Sequence, residues 1–524
     1  MSQPNRTSPS VTNHTEPPPQ LDTESSYLLS SYTALRQTLS PSLIPPLSNP
    51  ILPDASLLRS LTQSLPQSLP PAPLGTEATT SHLLTTILPS LNHQSLSPHY
   101  YGFVTGSVHP AAQFADNLVS ALDQNVQVHL PAHSASTRIE DSALRMVISL
   151  LDLDQAHWKG RTFTTGATAS NVVGLACARE AVIAQRLPPG PGKTVADLGL
   201  LRACLEAGIR DVQVLTSLGH SSLSKAASVV GLGRGSVKDV AREEEPWRLD
   251  LDALEQELKK EKEGTVSIIA VSAGEVNTGR FATGLLDMPK IRSLADRYGA
   301  WVHVDGAFGL FVRALPKTDE FLALHAGVAG MELADSIGAD GHKLLNVPYD
   351  NGIFLCRHPS ILSQVFSNPN AAYLASAAAN DPDAILSPLN IGIENSRRFR
   401  ALPVYAVLLS EGREGMAAMF SRMVQLSRRI AAFIRDSEQY EWLPSGDASL
   451  ESTFIIVLFR AKDQALNNVL VDRINETRKI FVSGTSWGGK KAVRLAVSTW
   501  RVDVERDAAV VEELLTAVAE GQAS

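Results

Sequence analysis

Apolar positions change their spacing along this chain, and each change marks an element. From Tyr100 onward, short β-branched runs alternate with stretches whose apolar residues recur every three or four positions. Val212–Thr216, Val266–Val271, Trp301-Val302-His303-Val304 and Gly352-Ile353-Phe354-Leu355 are of the first kind. Such runs are apolar on both faces, as strands covered by helices on two sides must be. Ala111–Gln124, Thr137–Leu151 and Leu286–Tyr298 carry the helical spacing. Strands and helices alternating over short links predict an α/β domain with a mostly parallel sheet. After about Arg400 the pattern turns to long helical runs, Pro403–Arg413 and Gly415–Asp436. The strand-like runs Phe454–Phe459 and Val493–Ser498 follow, so a smaller α/β domain is expected there.

The amino-terminal part reads differently. Residues 1–25 are rich in Ser, Thr, Pro and Gln, poor in apolar residues, and are expected to be a disordered leader. From Tyr27 to Ser97, leucine-bearing helical pieces are broken by Pro41, Pro45-Pro46, Pro50, Pro53, Pro66 and Pro70-Pro71. Proline ends a helix because it lacks the N–H and its ring meets the preceding turn. This stretch is expected to be an arm of short helices without its own core. The expected organisation is a leader over 1–25, an arm over 26–99, a large domain over 100–399 and a small domain over 400–524.

Composition narrows the function classes. At 524 residues the chain has room for two or three substructures. A net charge of −8, with no Lys/Arg-rich stripe, argues against a nucleic-acid partner. No apolar run reaches membrane-spanning length. Met1-Ser2-Gln3-Pro4-Asn5-Arg6 lacks the charged start and apolar core of a secretory signal. Cys177, Cys204 and Cys356 are scattered and suit neither a metal site nor a disulfide framework. A reducing, cytoplasmic setting is the expectation.

Four stretches carry candidate chemistry. Lys343 stands in Asp340-Gly341-His342-Lys343, with small or apolar flanks. A partly desolvated lysine has its ammonium pKa lowered, which gives the neutral amine a Schiff base needs. A snorkelling surface lysine is the plainer reading. Thr164–Asn171, which contains Gly166, Ala167 and Thr168, leads into a helix; small residues there let amide N–H groups approach a phosphate. An ordinary N-cap loop would look similar. Asp305 ends the apolar strand within His303-Val304-Asp305-Gly306-Ala307-Phe308-Gly309. Its carboxylate needs a cationic partner, unless it simply caps the next helix. Ala307 is small enough for a flat ring to lie against the backbone. His220 sits just past the strand Val212–Thr216, placed to stack on an aromatic ring and move a proton, or merely to bond the loop. In chain order these make a phosphate loop, an imidazole, a carboxylate and a lysine, each at a strand-to-helix junction. Together they suggest pyridoxal 5'-phosphate.

With these motifs the chain resembles the group II pyridoxal-phosphate decarboxylases, which include aromatic-amino-acid, tyrosine and glutamate decarboxylases. The resemblance runs from about Tyr100 to Asp503 and rests on Gly102–Gly106, Thr165–Asn171, His220-Ser221-Ser222, His303–Gly309 and Asp340–Lys343. The continuation Asn346-Val347-Pro348-Tyr349-Asp350 is similar to a bacterial and fungal branch of that family. The resemblance implies a fold type I, transferase-like α/β architecture and a carboxy-lyase that converts an L-amino acid to its amine. It implies Lys343 as the Schiff-base lysine, Asp305 as partner of the ring nitrogen and His220 over the ring. Ala167 and Thr168 would contact phosphate, with His342 close by and Asp340 in the same cofactor site. It also implies a homodimer clasped by the amino-terminal arm, and Arg494, in Val493–Ser498, as the group that meets the substrate carboxylate. For Arg494 a surface position on an edge strand is the alternative.

Tyr101, Phe103 and His129 lie where a side-chain pocket is expected, although the two aromatics would equally suit a core. Trp487 is ambiguous. Ala169 and Glu275 replace the Glu and Thr that many members carry, and Glu275 is expected to alter polarity beside the cofactor. The stretch Asp381–Pro388 lacks the tyrosine that aromatic-amino-acid decarboxylases use to reprotonate the α-carbon; Tyr373 lies earlier. Oxidative decarboxylation-deamination to an aldehyde therefore stands as an alternative outcome. A C–C lyase and a non-catalytic scaffold are more distant ones.

Overall fold

The computed structural model describes residues 23–40, 50–368, 385–444 and 449–522. The expected leader falls almost wholly outside them. Two compact units make up the chain, Met1–Asn92 and His93–Ser524.

The first unit is a set of short helices: α1 (Thr23–Leu39), α2 (Ala55–Ser64) and α3 (Thr76–His82). Asp54 caps α2 by accepting from the Ser56 N–H at 2.8 Å, and Tyr27 Oη lies 2.6 Å from Thr80 Oγ1. None of these helices buries a residue, and Leu28, Leu29, Leu58, Leu69 and Leu83 are all exposed. Among the described residues of this unit only Ile51 and Ser90 are buried. As a compact unit it ends at Asn92 rather than at residue 99. Tyr100 already stacks on Phe481 within the second unit.

The second unit begins with α4 (Pro110–Leu122) and α5 (Ser136–Leu150), then β1 (Gly160–Thr164) and α6 (Ala167–Ala184). The short helices α7 (Val195–Leu198) and α8 (Leu200–Glu206) lead to β2 (Asp211–Thr216), α9 (Ser221–Val229), β3 (Val237–Asp239) and α10 (Leu251–Leu258). Next come β4 (Thr265–Ser272), α11 (Met288–Tyr298), β5 (Trp301–Asp305) and α12 (Leu322–Val328). The sheet is completed through β6 (Ser336–Asp340), the single turn α13 (Gly341–Leu344), β7 (Gly352–Cys356) and α14 (Pro359–Phe366). The remainder is α15 (Ala401–Asp436), β8 (Tyr440–Leu443), β9 (Ile456–Ala461), α16 (Gln464–Glu476), β10 (Ser483–Trp487), β11 (Lys490–Ala496) and α17 (Val504–Ala519).

Seven strands form the main sheet in the order β1-β7-β6-β5-β4-β2-β3, and four form a second, antiparallel sheet, β10-β11-β9-β8. From β6 to β3 all neighbours are parallel, while β7 runs antiparallel to both β6 and β1. Two reversals cancel, so β1 points the same way as β6. Thr164 and Asp340 both pair with Gly352 and so share one edge of the sheet. Along β4, Ile269 and Val271 join one core cluster and Ile268 and Ala270 the other; β5 alternates likewise, Val302 and Val304 against Trp301. Helices α6 and α9 cover one face, while α5, α11 and α15 lie on the other.

The helical run after residue 400 is one 36-residue element broken at Gly412, whose φ of 59° and ψ of −170° leave the helical region. It packs on α4 and α5 of the large sheet's layer and on β8, β9 and α17. That shared helix is why residues 93–524 form one compact unit instead of separating near residue 400.

A buried ion pair fixes the edge strand that leads into α6. Arg397 donates to Glu140 Oε1 at 2.7 Å and to the Phe163 carbonyl at 3.1 Å, and both side chains are nearly inaccessible. Removing one partner of a buried pair strands the other charge. Arg397→Met is expected to lower stability by about 3–5 kcal/mol in urea unfolding. Combining it with Glu140→Gln should recover part of that loss.

Candidate active site

The carboxyl ends of β4, β5 and β6 meet the amino ends of α6 and α9, and β10 and β11 close the far side. Between them lies a cavity of about 630 Å³. That volume suits a small cofactor and its substrate.

Lys343 enters this cavity from α13, directly after β6. Its Nζ lies 2.7 Å from Asp340 Oδ2 and 5.8 Å from the centroid of the Phe308 ring. The turn behind it is held from two sides. Gly106 lies so close to the carbonyls of His342 and Lys343 that a Cβ there would overlap them. Fully buried Asn346 donates to the carbonyls of Leu344 at 2.9 Å and Ser498 at 3.2 Å. Its Oδ1 accepts from the N–H groups of Trp500 at 2.9 Å and Ser107 at 3.1 Å. The φ of 54° at Asn346 is one that asparagine tolerates better than most residues.

Helix α6, 18 residues long, starts at Ala167 with Gly166 as a cap that offers no side-chain acceptor. Apart from the Ala167 N–H, the amides of its first turn are therefore left for an anion. The Ala167 N–H donates to Asp340 Oδ1 at 2.5 Å, so Asp340 bridges the helix start and Lys343. Gly166, Ala167 and Thr168 line the cavity, and Thr168 is exposed there.

Asp305 ends β5 and lines the same cavity. Asn171 Nδ2 donates to its Oδ2 at 2.9 Å and the Ala307 N–H to its Oδ1 at 3.2 Å. Among the described residues no cation pairs with it, whereas Lys343 has Asp340. His220 caps α9; its Nδ1 accepts from the Ser222 N–H at 3.2 Å and lies 2.7 Å from Ser222 Oγ. Behind the carboxylate, His303 is fully buried, and that burial pushes its pKa down to about 4 against the pull of Asp305.

Arg494 lies on β11, between β10 and β9, and is only 5% exposed, so it is no surface residue of an edge strand. Its Nε donates to the Val276 carbonyl and its Nη1 to that of Phe103 at 2.5 Å. Nη2 has no acceptor among the described residues. Burial pushes the guanidinium pKa down to about 10, opposed by Glu275. Phe103, at a φ of 57°, is exposed at the cavity.

Some of the other expected residues lie away from the cavity. Tyr101 is 0% exposed and packs in the main core, away from the cavity; its position between buried layers makes it a packing residue. His129 turns its Nδ1 to Thr137 Oγ1 at 2.8 Å and does not reach the cavity. Trp487 packs on Leu443, Leu458 and Ala492. Glu275 spends its carboxylate on the N–H groups of Asn277 and Thr278, at 2.9 and 2.8 Å, within its own turn. His342 lines the cavity with its ring 4.3 Å from that of Tyr349, and burial lowers its pKa. Tyr373 lies outside the described residues, as do residues 381–384.

Sequence reasoning missed three contributors. Asn171 reads as the last residue of the phosphate loop, but it sits one helical turn inside α6 and turns to Asp305. Ser222 was visible only as a neighbour of His220. Tyr349 lines the cavity because the segment after Asn346 folds back beside His342.

The donor set fits pyridoxal 5'-phosphate: open amides at a helix start, a carboxylate lacking a cation and a lysine border one cavity. The comparisons agree. A family model, the pyridoxal-dependent decarboxylase conserved domain, matches residues 59–462. The chain belongs to the pyridoxal-dependent decarboxylase family. The L-2,4-diaminobutyrate decarboxylase of Acinetobacter baumannii is 27% identical over 374 residues, which span 70% of this chain and 67% of that protein. The aromatic-L-amino-acid decarboxylase of Mus musculus is 26% identical over 426 residues, 80% of this chain and 82% of its own length. The crystal structure of the Oryza sativa TDC with PLP and tryptamine superposes with a TM-score of 0.77 at 22% identity, covering 97% of this chain and 100% of that one. That likeness places the fold among the fold type I enzymes. This decarboxylase is a pyridoxal-phosphate-dependent carboxy-lyase acting on an amino acid.

Two outcomes follow from the geometry. Proline at the first helical position costs the helix little, because that N–H has no intrahelical partner. Ala167→Pro removes the N–H that holds Asp340 beside Lys343, and is therefore expected to weaken cofactor binding about tenfold, with helix content by circular dichroism unchanged. For His303, the unfolded side chain takes a proton near pH 6.5 and the buried one only near 4. Its contribution to stability is full above about pH 6.5 and is lost as pH falls toward 4. Urea titrations across that window should show a shallower decline for His303→Gln.

Proposed function

We propose that this decarboxylase removes the α-carboxyl group of a medium-sized or aromatic L-amino acid, with Lys343 supplying the amine that holds the cofactor. The observation that carries the reading is the cation-free carboxylate of Asp305 facing the cavity that Lys343 enters. When bound, the cofactor supplies an aldehyde for the amine and a conjugated ring that accepts the electron pair left by the departing carboxylate. Asp305 holds the proton on the ring nitrogen. The Thr168 end of the first turn of α6, beside the Ala167 amide that Asp340 occupies, would hold the phosphate against the positive end of the helix. His220, which lines the cavity, or a group on a neighbouring loop would return a proton to the α-carbon. Arg494 is held rigid by two carbonyls, so its free Nη2 orients the substrate carboxylate without losing rotamer freedom. Phe103, Leu218 and Val276 give the cavity an apolar wall that suits an uncharged side chain.

Two further assignments belong to this reading. The exposed face of α4 carries Phe114, Leu118 and Leu122, 73, 42 and 61% exposed, at a spacing of four. Such a stripe fits a second copy of the chain, hence a homodimer. Three free cysteines, with no helix among the described residues long and apolar enough to cross a membrane, support a cytoplasmic enzyme.

Incubating the holoenzyme with each common L-amino acid should release carbon dioxide and one amine from a single preferred substrate. Lys343→Ala should abolish that release, and full turnover in this variant would refute the lysine's role. Arg494→Met should raise KM roughly 10- to 100-fold, the loss expected for a charged hydrogen bond. Peroxide and aldehyde in place of amine would assign the oxidative outcome instead.

A further inference from the structure

We propose that Asn171 and His303 are positioning residues, the core of a hydrogen-bonded chain that fixes Asp305 and His220 together from behind the cavity. This rests on the reading of Asp305 as partner of the ring nitrogen. The chain begins at Trp301, whose Nε1–H donates to Ser336 Oγ at 2.9 Å. An indole N–H can only donate, so the Ser336 hydroxyl is free to give its own hydrogen to His303 Nδ1, 2.8 Å away. His303 is then the tautomer with its proton on Nε2, which lies 2.9 Å from Asn171 Oδ1. That contact fixes which way round the amide stands. Asn171 Nδ2 consequently donates both its hydrogens, one to Asp305 Oδ2 at 2.9 Å and one to Ser222 Oγ at 3.1 Å. The Ser222 hydroxyl is left to donate to His220 Nδ1 at 2.7 Å. One amide thus serves both groups that meet the cofactor ring, and a fixed donor at the far end sets its orientation.

The surroundings are built for this chain. A Cβ on Gly174, in α6, would lie 2.6 Å from His303 Cε1, and one on Gly338, in β6, would lie 3.4 Å from Asn171 Oδ1. Alanine in place of Gly174 would favour the helix but displace the imidazole. His303, Ser336 and Asn171 are all fully buried, so none has water as an alternative partner. A neutral imidazole is what the tautomer requires, and burial keeps His303 neutral through the working pH range. Glu or Asp elsewhere on β5 and β6 does not enter the chain; Asp305 is its only charged member.

The test uses holoenzyme reconstituted with cofactor carrying 15N at the pyridine nitrogen, read by cofactor affinity and by the 15N shift. Asp305→Asn is the reference for a lost acid. Asn171→Leu and His303→Leu should each weaken cofactor binding about tenfold or more and move the 15N resonance toward neutral pyridine. His303→Gln can still donate to Asn171 and accept from Ser336, and should keep both near wild type. Should the leucine variants fail to fold, Gly174→Ala tests the same contact by pushing the ring aside. If Asp305→Asn shifts the resonance while the variants at 171, 303 and 174 match wild type, the positioning role is overturned. If Asp305→Asn itself changes nothing, the assignment of Asp305 fails instead.

Discussion

A carboxylate that no cation among the described residues pairs with governs this structure. Asp305 ends an apolar strand, and an ionised acid in such a place is costly unless a charge or strong donors face it. Asn171 and the Ala307 amide provide the donors from the protein side. The missing charge is what the cavity is shaped to admit. Lys343, a cation of the same cavity, is already matched to Asp340, so the two acids are not interchangeable. One steadies the lysine and the helix start, and the other is left for the ligand.

The scaffold serves to keep these groups from drifting. Reversal at β7 brings the ends of β1 and β6 to one edge, so the loop into α6 and the turn into α13 face each other across Gly352. Gly106 and Asn346 pin the backbone that carries Lys343. Arg397, buried with Glu140, ties the end of β1 to α5. Sites held on strand ends and helix starts keep their geometry better than sites on long loops, because backbone hydrogen bonds and packing fix their bases.

Much of this was legible in the sequence because it follows from periodicity and from junctions. Apolar runs on both faces gave β2, β4, β5 and β7, and the break at Gly412 separates the two helical runs read after residue 400. Lys343, Asp305, His220 and the start of α6 could be read because small residues and charges at strand-to-helix junctions stand out. What escaped depends on three-dimensional neighbours. A short apolar run has no direction, so the antiparallel course of β7 was invisible. Asn171 looks like one more polar residue of the phosphate loop until β5 is laid beside it. Tyr101 and Phe103 are two positions apart, yet one packs in the core and the other, at a φ of 57°, opens on the cavity. Glu275 was expected to alter polarity beside the cofactor; its oxygens are taken by its own turn, and its charge bears on Arg494.

The most direct measurement of the central claim is chemical. Holoenzyme reduced with borohydride and digested should yield, by mass spectrometry, one peptide bearing a phosphopyridoxyl group, with the label on Lys343. Label on any other lysine, or none after reconstitution with the cofactor, would contradict the account.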